Sequence, residues 1–151
     1  VNAGLIPKPA ESVVWSLALA YGGLAQLCAG MWEFRRNNTF AATAFSSYGA
    51  FWISLALLVT FFLPKMPADI GPGVGTFLLA WSIFTSYMTI ECRKHARPVY
   101  VTFLLVTATF YLLAFGALFG ISWLSTLGGY VGIATAAAAW YASYDALTKG
   151  S

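Results

Sequence analysis

A glutamine, Gln26, stands inside the uncharged apolar run Ser12 to Trp32 and is the first side chain placed to do chemistry where water is scarce. An amide in hydrocarbon costs several kcal/mol, on the order of 4 to 8 on a cyclohexane scale, unless it finds a partner or water. Two uses would satisfy it: a hydrogen bond to a solute in a pore, or one to a neighbouring helix. Gly22, Gln26 and Gly30 recur at four-residue spacing and share one helix face, and Glu33 continues it a turn later. The next apolar run carries Thr39, Thr43, Ser46, Ser47 and Ser54, most of them a hydroxyl stripe, with Tyr48 beside it. Such hydroxyls bond their own backbone carbonyls or line a polar track. Tyr48 reads as a pore gate or as an interfacial-belt tyrosine, although it sits deeper than a belt residue normally does. A third run repeats the device with Ser82, Thr85, Ser86 and Thr89 near Trp81 and Phe84. Polar stripes on three helices of one bundle imply a shared polar track.

The elements that position these residues follow from composition. The 151 residues are 60% hydrophobic and 9% charged, with a mean hydropathy of +0.75, which places the chain among polytopic membrane proteins. Charged side chains leave long uncharged windows: Ser12 to Trp32, Asn37 to Pro64, Ile70 to Ile90, and Pro98 to Tyr144. A spanning helix needs ~20 apolar residues, so the first three windows hold one helix each and the fourth holds two. The predicted spans are 12–33, 40–63, 72–92, 98–119 and 122–147, in a single transmembrane domain over 1–151. All six prolines (Pro7, Pro9, Pro64, Pro67, Pro72 and Pro98) fall between these spans or at their ends, where a missing amide proton costs least. In the fourth span Tyr100, Thr102, Thr107, Thr109 and Tyr111 are polar, and Gly116 and Gly120 are spaced for close contact. Gly128, Gly132 and Ala136 extend that small-residue pattern into the fifth, and these rows read as helix packing or subunit contact.

Arg35 and Arg36 mark the first loop, and Arg93, Lys94 and Arg97 the third, whereas Lys65 and Asp69 share the second. Basic residues mark the cytoplasmic side, so they report orientation rather than a nucleic-acid partner. Loops one and three and the C-terminal Lys149 are then inside, and the first span starts outside. That parity, with a valine as first residue, predicts a further helix upstream. The expected fold is an all-α integral membrane bundle of six transmembrane helices, of which five are present and the first is missing.

The spans hold no acid–base pair, nucleophile with its base, metal-ligand cluster or cofactor motif, which points away from an enzyme. His95 lies within Arg93-Lys94-His95-Ala96-Arg97, where a positive-inside role accounts for it, with attraction of carboxylates or anionic lipid heads as the alternative. Glu33, Asp69, Glu91 and Asp145 sit at or near span ends, so none is a deep proton relay. Glu33 is the best of them for a functional carboxylate, but its first reading is a salt link to Arg35, Arg36 or the third-loop cluster. Cys28 and Cys92 read as small packing residues.

Tyr21-Gly22-Gly23-Leu24-Ala25-Gln26, Ala29-Gly30 with Glu33, Asn38-Thr39-Phe40, and Thr43-Ala44-Phe45-Ser46-Ser47-Tyr48-Gly49 with Phe51-Trp52 resemble the acetate uptake transporter family. That family includes the bacterial succinate/acetate permease and fungal ammonia/acetate exporters. Weaker similarity continues through Trp81, Phe84-Thr85 and Arg97. The resemblance implies six transmembrane helices, homo-hexamers with a pathway through each protomer, and carboxylate solutes such as acetate and succinate. The family signature Asn-Pro-Ala-Pro-Leu-Gly-Leu at the start of its first helix is absent here, as expected if that helix lies upstream. By resemblance Tyr48 is the narrow-gate tyrosine and its aliphatic partner falls at Leu105 or Val106. Gln26, Thr43 and Ser47 are then the hydrogen-bonding groups of the pathway, with Tyr21, Glu33 and Thr85 as further candidates. With a carboxyl pKa of about 4.3, roughly one solute molecule in 500 is neutral at about pH 7. The expected function is proton-coupled uptake of acetate and succinate across a bacterial inner membrane, the C-terminus being cytoplasmic. A passive anion channel, or a urea-type or amide-type channel, is the alternative.

Overall fold

The computed structural model describes residues 2–5, 7–66 and 70–149, so the second-loop residues Pro67 and Asp69 lie outside the described residues. Five helices account for nearly all of them: α1 (Ser12–Arg35), α2 (Thr39–Leu57, continued by irregular turns to Lys65), α3 (Gly71–Cys92), α4 (Arg97–Phe119) and α5 (Ser122–Lys149). Among the described residues α1 to α4 are long and apolar enough to cross a membrane. The longest helix, α5 at 28 residues, is not among them. Its glycines, serines and threonines, with Asp145 and Lys149, dilute an otherwise apolar helix. The chain forms two compact units, Ile6–Ala68 and Asp69–Ser151, the latter joined by Val1–Leu5.

In the first unit α1 and α2 form an antiparallel hairpin whose turn is closed by its own side chains. Asn37 takes a left-handed conformation at φ 57°, one that asparagine tolerates better than most residues. Asn38 caps α2, its Oδ1 accepting the Ala41 amide at 3.3 Å, while its Nδ2 donates to Glu33 Oε2 at 2.6 Å. Glu33 Oε1 receives Arg36 Nη1 at 3.1 Å, and its side chain is 13% exposed. Arg35 instead lies 5.8 Å over the Trp32 ring. Asn38→Ala should therefore destabilise the hairpin by about 1 kcal/mol through loss of the cap, and somewhat more through the carboxylate it leaves behind. Chemical or thermal denaturation in detergent measures it.

The helices of this unit are not uniformly α. Ala18–Ala25 is π-helical, and so is Leu58–Phe62 near the end of α2. A π turn is wider than the 3.6-residue turn, so the regular four-residue stripe expected through Gly22, Gln26 and Gly30 is broken at its start. Gly23 shows why this stretch is glycine: a Cβ there would lie 2.8 Å from Ala18 O, five residues back, and 2.6 Å from Ile53 Cγ1. Gly49 on α2 is pressed as closely, its would-be Cβ 2.7 Å from Leu27 N. Small residues here admit a neighbouring backbone, as membrane helix pairs require.

In the second unit α4 packs against both α3 and α5. Gly75 and Gly116 each leave no room for a side chain, a Cβ at Gly75 falling 2.7 Å from Leu118 N and one at Gly116 2.9 Å from Ser125 N, while Gly128 packs against the Leu113 side chain. Gly120 departs from the expected packing role. It adopts φ +66° with open space around it and caps α4 in the left-handed conformation, a common helix stop.

Candidate solute pathway

The hydroxyls of the two units are treated differently. On the facing sides of α3 and α4 in the second unit they are spent. Ser82 Oγ donates to Leu78 O at 2.8 Å, and Ser86 Oγ to Ser82 O at 2.8 Å. Thr107 and Thr109 bond back to the carbonyls of Phe103 and Leu105. Other bonds cross between helices: Thr89 Oγ1 meets Thr107 Oγ1 at 2.8 Å, Ser86 Oγ meets Tyr111 Oη at 3.1 Å, and Thr109 Oγ1 meets Thr135 Oγ1 at 3.2 Å. Ser82 and Thr85 are fully buried, and Thr89 is nearly so. The third polar stripe, expected to join a common track, is thus an α3–α4 packing seam. Thr85 lies inside that seam, its carbonyl accepting the Thr89 hydroxyl at 2.7 Å. Leu105 and Val106 are half-buried on α4.

On the hairpin of the first unit Ser16 Oγ bonds back to Val13 O at 2.9 Å, but four polar groups, Gln26, Thr43, Ser46 and Ser47, stay unspent. Thr43, Ser46 and Ser47 lie within regular α-helix, yet among the described residues none bonds back to its own helix, and the Gln26 side chain makes no hydrogen bond either. Ser46 Oγ goes furthest: it is buried, without a hydrogen-bond partner among the described residues, and sits where a side chain on Gly30 would have to go. A buried hydroxyl without a partner costs about 1–3 kcal/mol, so such groups mark places where water or a solute completes the set. Gln26, Thr43, Ser47 and Tyr48 are all half-buried on this hairpin. Tyr21 stands apart, 78% exposed, and Glu33 is occupied in closing the turn.

Sequence reasoning placed Ser46 in the hydroxyl stripe without singling it out; its pairing in space with Gly30 was the signal. The π turn that ends beside Gln26 was also missed, and the tandem Gly22-Gly23 was its only trace. A groove of about 490 Å³ on the hairpin lies at its far end among Glu11, Trp15, Ser16, Val59 and Thr60. It contains none of the predicted residues.

Among the described residues, four helices long and apolar enough to span a bilayer define a polytopic helical membrane protein, one whose first unit keeps an amide and hydroxyls free of intramolecular bonds. The family follows from comparison: residues 1–151 match the model of the GPR1/FUN34/yaaH family, and the chain belongs to it. It is 34% identical over 134 residues to the succinate-acetate/proton symporter SatP of Escherichia coli K12, covering 87% of this chain and 70% of that protein. It is 34% identical over 173 residues to acetate permease A of Emericella nidulans, covering all of this chain but 56% of that protein. Its fold matches the structure of the bacterial acetate channel SatP with a TM-score of 0.88 and 31% identity, covering 99% of this chain and 83% of that one.

Proposed function

We propose that this chain carries acetate, and succinate with it, across a bacterial inner membrane as one protomer of a homo-hexamer, with its basic loops and C-terminus in the cytoplasm. It is a transport protein and not an enzyme. The observation that carries the reading is the set of unspent polar groups on the α1–α2 hairpin: Gln26, Thr43, Ser46 and Ser47. A carboxylate leaving water needs replacement donors, and an amide or hydroxyl with no intramolecular bond can supply one. Tyr48 narrows this route by its bulk. Leu105, Val106 and Thr85 lie on α4 and α3 of the other unit. SatP and acetate permease A, to which the chain is similar, are both named for acetate.

No Asp, Glu, Lys or Arg occurs from Ser12 to Trp32 or from Thr39 to Pro64. A coupled proton therefore travels on the solute, as the neutral acid, and uptake rises as the outside is acidified. The same lack of a charged coupling group favours a second reading, a passive channel for the anion. Labelled acetate flux into proteoliposomes, with and without an inward proton gradient, tests both. Accumulation above the outside concentration that an uncoupler abolishes means proton symport. Equilibration alone means a channel, and no acetate flux at all overturns the proposal.

A further inference from the structure

The end of the second unit where α4 begins and α5 finishes holds a groove of about 390 Å³ that the solute pathway does not use. Its floor is apolar, from Pro98, Val101 and Ala138, and its rim carries Arg97, Tyr141 and Lys149. Charges around it are unevenly matched. Lys94 pairs with Glu91 at 2.9 Å and Lys149 with Asp145 at 2.6 Å. That bond and the Asp145 charge hold the Lys149 ammonium above the ordinary lysine range. Arg93 and Arg97, by contrast, have no carboxylate partner among the described residues. The end thus keeps an uncompensated positive charge beside an apolar trough. Trp140, Tyr141 and Tyr144 are 78%, 60% and 65% exposed there, the aromatic pattern of a membrane–water boundary.

We infer that this groove is a binding site for an anionic phospholipid, with the headgroup phosphate on the Arg97 guanidinium and the first acyl carbons along Pro98, Val101 and Ala138. An arginine fork matches phosphate oxygens in pairs, and basic recesses between helices at a membrane's cytoplasmic face are where anionic headgroups lodge. Asp145 does not oppose the anion, because its charge is taken up by Lys149. Tyr141 flanks the trough with a ring suited to the glycerol level. The site concerns the lipid around the protein and stands whichever solute is carried.

Native mass spectrometry of the full protein, released from detergent with phosphatidylglycerol or with phosphatidylcholine, tests it. The parent protein should retain phosphatidylglycerol about fivefold better than phosphatidylcholine, and Arg97→Gln should remove that preference while Arg36→Gln, in the other basic loop, keeps it. Ala138→Leu leaves every charge in place and fills the trough. It should lower retention as well, which keeps the test decisive if Arg97→Gln does not fold. Equal retention of the two lipids by the parent, or an unchanged preference in both groove variants, overturns the proposal. Displacement of the lipid by millimolar inorganic phosphate would overturn it too, by making the site one for free phosphate.

Discussion

Alanine in place of Gly49 is expected to force α1 and α2 apart and to remove solute flux with them. The added Cβ would lie 2.7 Å from Leu27 N, 2.9 Å from Gly23 O and 3.0 Å from Leu27 Cα. All three are backbone atoms of the facing helix, so no rotamer change relieves the overlap and the helix axes themselves must separate. Overpacking of this kind costs about 1–3 kcal/mol and sometimes more. The loss should be concentrated in the hairpin, because Gly49 touches its other strand at the very segment whose π turn precedes Gln26. Gly73, in the first turn of α3, has nothing within 4 Å of its would-be Cβ. Gly73→Ala should therefore leave both stability and flux near the parent values. Melting curves in detergent with acetate flux in proteoliposomes report the pair. A Gly49→Ala protein that melts and conducts like the parent would show that the two backbones are not in the contact described.

Gln26→Leu should do the reverse, sparing the fold and lowering acetate flux. The Gln26 amide makes no hydrogen bond among the described residues, so its removal deprives the hairpin of little. A hydrogen bond to the solute is worth about 0.5–1.5 kcal/mol if the neutral acid passes and about 1.5–3 kcal/mol if the anion does, which corresponds to roughly 2- to 13-fold or roughly 13- to 160-fold in rate if it is made at the top of the barrier. Ser47→Ala should act in the same direction. The matching control is Thr89→Val, which removes the 2.8 Å bond to Thr107. Interhelical bonds of that type average about 0.6 kcal/mol, so stability falls slightly and flux holds. Loss of flux in Thr89→Val with full flux in Gln26→Leu would assign the route to the other unit.

The contrast between Gln26 and Thr89 also measures how far the residues could be read without coordinates. Five helices were legible in the chain alone, because charge is excluded from hydrocarbon and the uncharged windows have the length of a bilayer. The salt link of Glu33 and the family motif were legible as well, since each depends on neighbours within a few residues, whereas the cap at Asn38 went unread. Whether a hydroxyl stripe was spent or open was not legible. Thr43 with Ser47 and Thr85 with Thr89 have the same types at the same spacing, and a serine or threonine in a helix can always turn back to its own carbonyl. The tertiary structure decided between them by placing α4 hydroxyls opposite Thr89 and only a glycine backbone opposite Ser46. It also decided the backbone register of α1. A π turn adds no residue type and costs helix energy, so it survives only where packing, here Gly23 against Ile53 and Gly49 against Leu27, holds it in place.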